Sequence, residues 1–259
     1  MGAVRVVSWN INSLRARLGR AQAFMARHDP DVLCLQETKV PDAEFPQLAF
    51  PGLHPTVHGQ KTYNGVAILS KERPDEVRKG IPGDPVPEQT RAVAARFDDL
   101  WVLDLYVVNG QAPDSDKFAI KERWLGALRD WLTTEFDPKD PVLLVGDFNI
   151  TPSDADVHDP ARWAGKIHCT PEERGWLAEL QAWGLTDLHK QAVPEPEHTW
   201  WDYRMGAFAR GWSLRIDLAL GTAPVADRLA AVTVDRDERK QGEHEEKPSD
   251  HAPLIVDLH

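Results

Sequence analysis

The sequence predicts an α/β fold. Runs of β-branched and other apolar residues recur along the 259 residues, with helical patterns between several of them. Some runs are apolar at every position, as Val142–Val145 is, which places packed layers on both faces of a sheet. Hydrophobic residues make up 42% of the chain, enough to bury a large core. Because we find neither an internal repeat nor a shift in composition, we expect one domain over residues 1–259.

Nine strands are predicted, each a short apolar run bounded by polar or turn-forming residues. In chain order they are Val4–Ser8, Val32–Leu35, Val66–Leu69, Ala92–Phe97, Trp101–Val108, Val142–Val145, Ile216–Leu220, Ala231–Val234 and Leu254–Leu258.

Three helices are well signalled. The first has apolar residues at helical spacing over Leu14–Met25, with Ser13 as its expected N-cap. The second covers about Lys117–Glu135 and carries a broad apolar face. The third opens with the capping box Thr170–Glu173, which has proline at the first helical position, and closes at Gly184.

The charge balance limits what the protein can bind. There are 41 acidic against 30 basic residues, for a net charge of -11, so the chain as a whole repels nucleic acids and anionic membranes. A polyanionic ligand must therefore meet a local cationic patch or a metal ion. Two cysteines, Cys34 and Cys169, exclude a disulfide framework and a cysteine-rich zinc site. The segment Asp235–Lys247, rich in charges of both signs, is expected to be a solvated surface loop.

Polar side chains with oxygen ligands stand at the ends of several predicted strands. They are Asn10 and Asn12 after the first, Glu37 after the second, Asp147 and Asn149 after the sixth, and Asp250 just before the last. Loops at strand ends present side chains to a shared mouth, and Mg²⁺ prefers oxygen ligands. The set predicts a hard-cation site. A lone glutamate can equally be a surface residue, and an Asp-x-Asn pair can equally form a turn.

A buried acid and a histidine suggest a proton-transfer pair. Asp217 lies in the predicted apolar strand, where a carboxylate is costly without a partner, and His251 is one of the few side chains that would satisfy it. Such a pair would fix the imidazole tautomer and raise its pKa. Asp147 could deprotonate a water molecule. The alternative is that Asp217 bonds a backbone N–H and His251 is an ordinary surface histidine.

One stretch combines cations with aromatic residues. Residues 203–216 contain no acid but include Arg204, Arg210 and Arg215 together with Trp212, a pattern that suits a surface tracking a nucleic-acid backbone. A basic loop with buried aromatic residues would give the same pattern. A second positive cluster, near the proposed metal site, comprises Arg15, Arg17, Arg20 and Lys39.

Seven motifs, spread in order over nearly the whole chain, resemble the exonuclease III family of abasic-site endonucleases. They are Ser8–Arg15, Leu35–Lys39, Asn64–Ala67, Gly146–Asn149, His198–Tyr203, Arg215–Leu218 and Lys247–Pro253. The resemblance implies a four-layer α/β sandwich, with two face-to-face mixed β-sheets flanked by helices. It also implies a Mg²⁺-dependent enzyme of base excision repair, with Mn²⁺ as an alternative ion. That enzyme hydrolyses the phosphodiester 5′ to abasic sites in duplex DNA and has 3′-phosphodiesterase and 3′–5′ exonuclease activity.

The resemblance also assigns roles to residues. Glu37 becomes the principal metal ligand, with Asn10, Asn12 and Asp250 near the metal. Asp147 orients or deprotonates the attacking water, Asn149 and Tyr106 bind the scissile phosphate, and His251 paired with Asp217 contacts the phosphate. The DNA-contacting residues are expected to be Asn109, Trp200, Trp212, Leu214, Arg204, Arg215, Arg15 and Lys39. The partners are then duplex DNA with abasic sites or blocked 3′ ends.

Two departures from the family pattern leave details open. Val108 stands where the family has proline after Tyr106, and the segment from Gly211 to Asp217 is longer than usual. Either Trp212 or Leu214 could therefore line the abasic-sugar pocket. Whether Asp147 or His251 takes the proton is also open.

Two other classes of function agree with part of the sequence. A phosphohydrolase of the same fold acting on lipid head groups or inositol phosphates agrees with the net charge, whereas the arginine-rich stretch favours DNA. A catalytically silent DNA-binding module would not need the intact acid, amide and histidine positions. The N-terminus lacks the apolar segment of a signal peptide, and no apolar run is long enough to span a bilayer. We expect a cytoplasmic monomer without a membrane partner, associated with the nucleoid if the source is bacterial.

Overall fold

The computed structural model describes residues 2–195 and 197–259, and these form twelve β-strands in two six-stranded sheets. The strands are β1 (Val4–Asn10), β2 (Val32–Gln36), β3 (His54–His58), β4 (Val66–Ser70), β5 (Glu76–Lys79), β6 (Ala92–Phe97), β7 (Leu100–Tyr106), β8 (Val142–Asp147), β9 (Thr186–Asp187), β10 (Asp217–Gly221), β11 (Leu229–Val234) and β12 (Leu254–Leu258). The helices are α1 (Leu18–His28), α2 (Asp116–Glu135), α3 (Pro160–Trp163), α4 (Pro171–Gly184), α5 (Leu188–Ala192), α6 (Ala207–Arg210) and α7 (Ala223–Ala226).

Both sheets are mixed. The first has the order β11-β12-β1-β2-β4-β3, and the second β5-β6-β7-β8-β10-β9. Within them β1 is parallel to β2 and β7 is parallel to β8, while the other paired strands are antiparallel. The two parallel pairs lie at the centres of their sheets, so their carboxyl ends open at an interior position rather than at an edge.

The sheets pack face to face, with helices outside. Val6 of β1 and Val145 of β8 belong to one buried cluster between the sheets. Outside the second sheet, Leu144 packs with Trp124 of α2. Outside the first sheet, Leu33 packs with Phe24 of α1. This arrangement confirms the predicted four-layer sandwich, and it explains why Val142–Val145 is apolar throughout: alternate residues face the other sheet and the helices.

The capping box of α4 is confirmed. The Glu173 amide donates to Thr170 Oγ1 at 3.1 Å, and the Glu173 carboxylate accepts from the Thr170 amide at 3.1 Å. The predicted Ser13 cap is wrong, because α1 begins at Leu18 after a short 3₁₀ turn. The Ser13 amide instead donates to the Glu37 carbonyl at 2.7 Å, which ties this loop to the end of β2.

The charged segment predicted as a solvated loop is partly buried, which corrects that expectation. Arg20 of α1 is 1% exposed and donates to the carbonyls of Gln241 at 2.6 Å and Glu246 at 2.8 Å. Glu238 lies beside it at 3% exposure. The buried Arg20 guanidinium thus holds the segment against α1, because backbone carbonyls of the segment accept its hydrogen bonds.

Among the helices of residues 2–195 and 197–259, none has the length and apolar character needed to cross a lipid bilayer.

Candidate active site

The predicted catalytic and metal-binding side chains lie at one end of the sandwich, on the strand faces that point toward the opposite sheet. Side chains alternate along a strand, so Asn10 shares the inner face of β1 with Val6, and Asp147 shares that of β8 with Val145. The same alternation places Tyr106 on the inner face of β7 and Asp217 on that of β10. Strand register adds to this, because Asp147 lies opposite Tyr106 on one side and Asp217 on the other.

A histidine lies between two buried carboxylates. His251 Nδ1 is 2.8 Å from Asp217 Oδ2, and His251 Nε2 is 3.7 Å from Asp147 Oδ2. All three residues are at most 4% exposed. Burial disfavours the imidazolium, but the Asp217 and Asp147 carboxylates outweigh it and raise the pKa of His251 to about 10. The structure therefore brings together the pair of Asp217 and His251 that the sequence predicts, with the imidazole protonated.

Asp147 has the environment of a general base. Its Oδ1 accepts from the Asn149 amide at 2.9 Å, and its Oδ2 accepts from Asn10 Nδ2 at 3.0 Å. Burial raises the pKa of Asp147 to about 7, the charge of His251 opposes this, and the Asp217 carboxylate adds to it. A carboxylate with a pKa near neutrality, fixed by two donors, can accept a proton from water at physiological pH.

The predicted metal ligands form one hydrogen-bonded group. Asn10 Nδ2 donates to Glu37 Oε1 at 2.9 Å as well as to Asp147, and Asn12 Nδ2 donates to Asp250 Oδ1 at 2.9 Å. Burial opposes ionisation of Asp250, but the charge of His251 and the donor from Asn12 hold its pKa below the usual range, so it is a carboxylate.

This donor set suits a hard divalent cation. Its donors are carboxylate and amide oxygens, the ligands that Mg²⁺ takes. The Lys39 ammonium lies 3.0 Å from Glu37 Oε2 and 2.6 Å from Asn12 Oδ1, so positive charge is already stabilised there. Glu37 has a left-handed backbone with φ of 50°, an unusual conformation for a residue with a side chain and one typical of functional sites. Nearby, ligand atoms of Asp147, Asp217 and His251 lie within 4.8 Å of one another, but the protonated imidazole has no free lone pair for a metal.

Two asparagines and a tyrosine provide donors beside this group. Asn109 Nδ2 donates to Asn149 Oδ1 at 2.9 Å, and Asn149 Nδ2 donates to the Val107 carbonyl at 3.1 Å. Removal from water raises the pKa of Tyr106 well above its usual value, and the neighbouring Glu37 carboxylate adds to this. Tyr106 is therefore a neutral hydroxyl that can donate a hydrogen bond.

The predicted aromatic wall lies next to the histidine. The Trp200 backbone forms isolated antiparallel β-bridges with both His251 and Leu214. Its side-chain Nε1 donates to Asp250 Oδ2 at 3.1 Å. Leu214 is completely buried behind it. Trp212 lies farther out, with its ring centroid 5.1 Å from the Arg162 guanidinium. A cavity of about 290 Å³ joins Trp200, Leu214 and Trp212 to Arg162.

The structure corrects one predicted DNA contact and places the others. Arg215 is completely buried, with Nε 2.6 Å from Asp156 Oδ1 and Nη2 2.7 Å from Asp187 Oδ2. Its guanidinium is occupied by these ion pairs and is not accessible to a ligand. The prediction that Arg215 contacts DNA is therefore wrong. Arg204, with an 85% exposed side chain paired to Asp202, can reach solvent. The half-exposed Arg15 side chain pairs with Glu44 at 2.6 Å.

Comparison with known proteins decides the family. Residues 7–251 match the model of the Endonuclease/Exonuclease/phosphatase family. The chain belongs to this family. The match agrees with the resemblance to exonuclease III enzymes that the sequence motifs indicate, and the family's fold is the four-layer sandwich described above.

Relatives within the family agree over almost the full length. The exodeoxyribonuclease III of Haemophilus influenzae is 38% identical, with 98% of this chain and all of that protein covered. The structure of the 3′ phosphatase NExo from Neisseria, bound to a product DNA hairpin, has a TM-score of 0.92 at 41% identity and covers 99% of both chains. An AP endonuclease from Archaeoglobus fulgidus has a TM-score of 0.91 at 33% identity and covers 98% of both chains.

Several residues that border the candidate site were not predicted from the sequence. His168 Nδ1 lies 2.6 Å from the Asn149 carbonyl, and its ring centroid is 6.5 Å from that of Trp200. Burial, reinforced by a nearby lysine charge, lowers the pKa of His168 to about 3, so the ring is neutral. Arg162 and Lys166 border the cavity. The signal that could have found them is the cluster of cations and tryptophan just before the α4 capping box.

Proposed function

We propose that the protein is a divalent-metal-dependent phosphodiester hydrolase acting on DNA, of the exonuclease III type. It hydrolyses the phosphodiester 5′ to an abasic site in duplex DNA, and it removes 3′ blocking groups and 3′ nucleotides. The observation that carries the proposal is the buried array of Asp147, His251 and Asp217 beside the all-oxygen group around Glu37. The names of the relatives, an exodeoxyribonuclease, a 3′ phosphatase and an AP endonuclease, support the same chemistry.

Each residue has a defined task in this mechanism. Asp147 orients the attacking water and accepts its proton, since its pKa lies near neutrality. The imidazolium of His251, fixed by Asp217, donates to a phosphate oxygen. Asn149 and Tyr106 donate to the same phosphate and stabilise its growing charge. Cleavage leaves a 3′-hydroxyl and a 5′-deoxyribose phosphate when the substrate is an abasic site.

The metal would be held by Glu37 and Asp250, with Asn10 and Asn12 supporting them. Mg²⁺ is the ion that this oxygen set favours, with Mn²⁺ as an alternative, and it supplies positive charge that offsets the phosphate charge. This is needed because the chain carries a net charge of -11.

DNA would lie across the surface that borders the cavity. Trp200 and Leu214 form the wall next to His251, while Trp212 and Arg204 lie farther out. Lys39 lies beside Asn12 of the metal group and Asn109 beside Asn149, and we propose that DNA also meets Arg15, whose half-exposed side chain pairs with Glu44. An extruded abasic nucleotide would enter beside Trp200, since a lost base makes extrusion inexpensive.

The test uses three labelled duplexes: one with an internal tetrahydrofuran abasic analogue, one with a 3′-phosphate at a nick, and one with a recessed 3′-hydroxyl. Each is incubated with Mg²⁺ or with EDTA, and products are resolved on a sequencing gel. Mg²⁺-dependent incision 5′ to the analogue, with 3′-end removal, is the expected result, and Glu37→Gln is the matched variant, which should need a higher Mg²⁺ concentration for the same incision. Three intact duplexes, together with turnover of inositol phosphates or lipid head groups, would overturn the proposal.

A further inference from the structure

A buried lysine that the proposed mechanism does not use lies directly behind the phosphate-binding amides. Lys121 of α2 is completely buried, although an ammonium group is costly to remove from water without partners. Its Nζ donates to the Glu173 carboxylate, to the Asn149 carbonyl at 2.7 Å and to the Asn109 carbonyl at 3.3 Å. All three ammonium hydrogens are therefore used, one on an acid and two on loop carbonyls.

The two carbonyls belong to the asparagines whose side chains bind each other. Asn109 follows β7 and Asn149 follows β8, and their carboxamides are joined by the 2.9 Å hydrogen bond. Asn149 has a left-handed backbone with φ of 52°, a conformation that costs free energy for a residue with a side chain. Gly110, with φ of 88°, lies where an added Cβ would be 3.2 Å from Lys121 Cδ. Lys121 contacts the backbone of both loops, and His168 Nδ1, 2.6 Å from the Asn149 carbonyl, contacts only the second.

Glu173 holds Lys121 in this position. It is completely buried, and its second carboxylate oxygen closes the capping box by accepting from the Thr170 amide at 3.1 Å. The ammonium is thus held from α4 while it holds the two loops. If Lys121 served only to join α2 to α4, its ion pair with Glu173 would be sufficient. The additional contacts with the Asn109 and Asn149 carbonyls indicate a role toward the two loops.

We propose that Lys121 is a positioning residue, which sets the backbone of Asn109 and Asn149 so that the Asn149 carboxamide meets the scissile phosphate. This inference rests on the proposed function, because it assigns Asn149 the phosphate. It predicts that loss of the ammonium displaces the carboxamide and slows the chemical step, while DNA held elsewhere on the surface still binds.

Three variants separate positioning from general stability. Lys121→Met removes the donors and leaves Glu173 unpaired, whereas K121M/E173Q removes both charges and keeps an amide that can serve the capping box. Leu180→Ala is the control, since Leu180 of α4 is 1% exposed and belongs to the apolar cluster of the same helical layer. Kinetics are measured on the abasic duplex well below each melting temperature. A misplaced reacting group can cost about 100-fold, so we expect kcat to fall ~10- to 100-fold in both Lys121 variants, with KM changed by less than about threefold. Leu180→Ala should melt earlier and keep its kcat.

A second comparison asks whether Lys121 acts through Asn149. In the Asn149→Ala background, adding Lys121→Met should cause no further loss, because residues that act as a unit are not additive. Multiplicative losses would overturn the proposal, as would recovery of full turnover in K121M/E173Q or an equal loss of kcat in Leu180→Ala.

Side-chain amide signals give a readout that needs no DNA turnover. In ¹⁵N spectra, the Asn109 and Asn149 carboxamide resonances should shift in K121M/E173Q and remain in place in Leu180→Ala. If the wild-type protein cleaves none of the DNA substrates, the proposed function fails. The same kinetic comparison is then made with bis(4-nitrophenyl) phosphate, and unchanged amide signals would refute the role of Lys121 independently.

Discussion

Replacing Arg215 tests whether this arginine stabilises the fold or binds DNA. Its guanidinium is completely buried and pairs with Asp156 at 2.6 Å and with Asp187 at 2.7 Å. Arg215→Met keeps much of the side-chain volume but removes the guanidinium from two buried carboxylates, of which Asp156 still pairs with Lys190. We expect a less stable protein whose DNA surface is unchanged.

The magnitude follows from what each carboxylate retains. Asp156 still accepts from Ser153 Oγ at 2.7 Å and pairs with Lys190 at 3.0 Å, while Asp187 keeps only backbone donors at 3.2 Å among the described contacts. Removing one partner of a buried ion pair costs about 3–5 kcal/mol. For a chain of this length, that free energy lowers the melting temperature by roughly 6–10 °C.

The assay combines thermal unfolding with DNA binding over a range of salt concentrations. Arg204→Met is the matched control, because its exposed side chain is proposed to contact DNA. It should leave the melting temperature unchanged and reduce the salt slope of log K by about 0.9 if it neutralises one phosphate. Arg215→Met should lower the melting temperature and leave the salt slope of log K unchanged. An unchanged melting temperature with a reduced salt slope in Arg215→Met would refute the burial argument and restore its role in binding.

Three further outcomes are expected. Asp147→Asn should retain DNA affinity but lose about 10²- to 10⁴-fold in single-turnover rate, because the base is replaced by a side chain of the same shape; unchanged turnover would assign the proton to another group. Glu37→Gln should raise the Mg²⁺ concentration needed for half-maximal cleavage, measured by titration after EDTA treatment, and an unaltered Mg²⁺ curve would place the ion elsewhere. His168 is neutral when folded, with its pKa lowered to about 3, so the unfolded chain binds its proton more tightly and stability is lost as pH falls below about 6.5. That loss is ~2 kcal/mol at pH 5, and urea unfolding of His168→Asn should lack it between pH 7 and pH 5.

The sequence allowed the apolar strands to be predicted well, whereas β3, β5 and β9 were not predicted. Ala92–Phe97 and Leu254–Leu258 have the predicted limits, because an apolar run buried on both faces is visible without tertiary context. By contrast, β5 (Glu76–Lys79) is partly exposed and charged, and β3 (His54–His58) contains proline and two histidines. Their partners across the sheet stabilise them, and a local pattern does not contain that information.

Site residues were predictable where chemistry and strand position coincided. Glu37 and Asp147 stand where an apolar run meets a polar residue type, which a single sequence displays. Arg215 shows the limit: its acidic partners are 59 and 28 residues away, so the pattern of cations and aromatic residues was the same for a buried arginine as for an exposed one. The buried position of Lys121 could not be predicted either, because a lysine on an amphipathic helix is ordinarily a surface residue.

The alternation of the strands explains why so much chemistry collects at one end of the sandwich. Along β1, inner-facing positions change from Val6 to Ser8 to Asn10, so the layer between the sheets becomes polar before it opens. Gln36 spans this intermediate layer, donating to Ser8 Oγ at 3.1 Å and to Asp104 Oδ1 at 2.6 Å. A one-residue slip in any of these strands would turn its polar positions toward the helices and leave them buried without partners. The register that buries the core is therefore the same register that assembles the site, which is why a motif at a strand end specifies both.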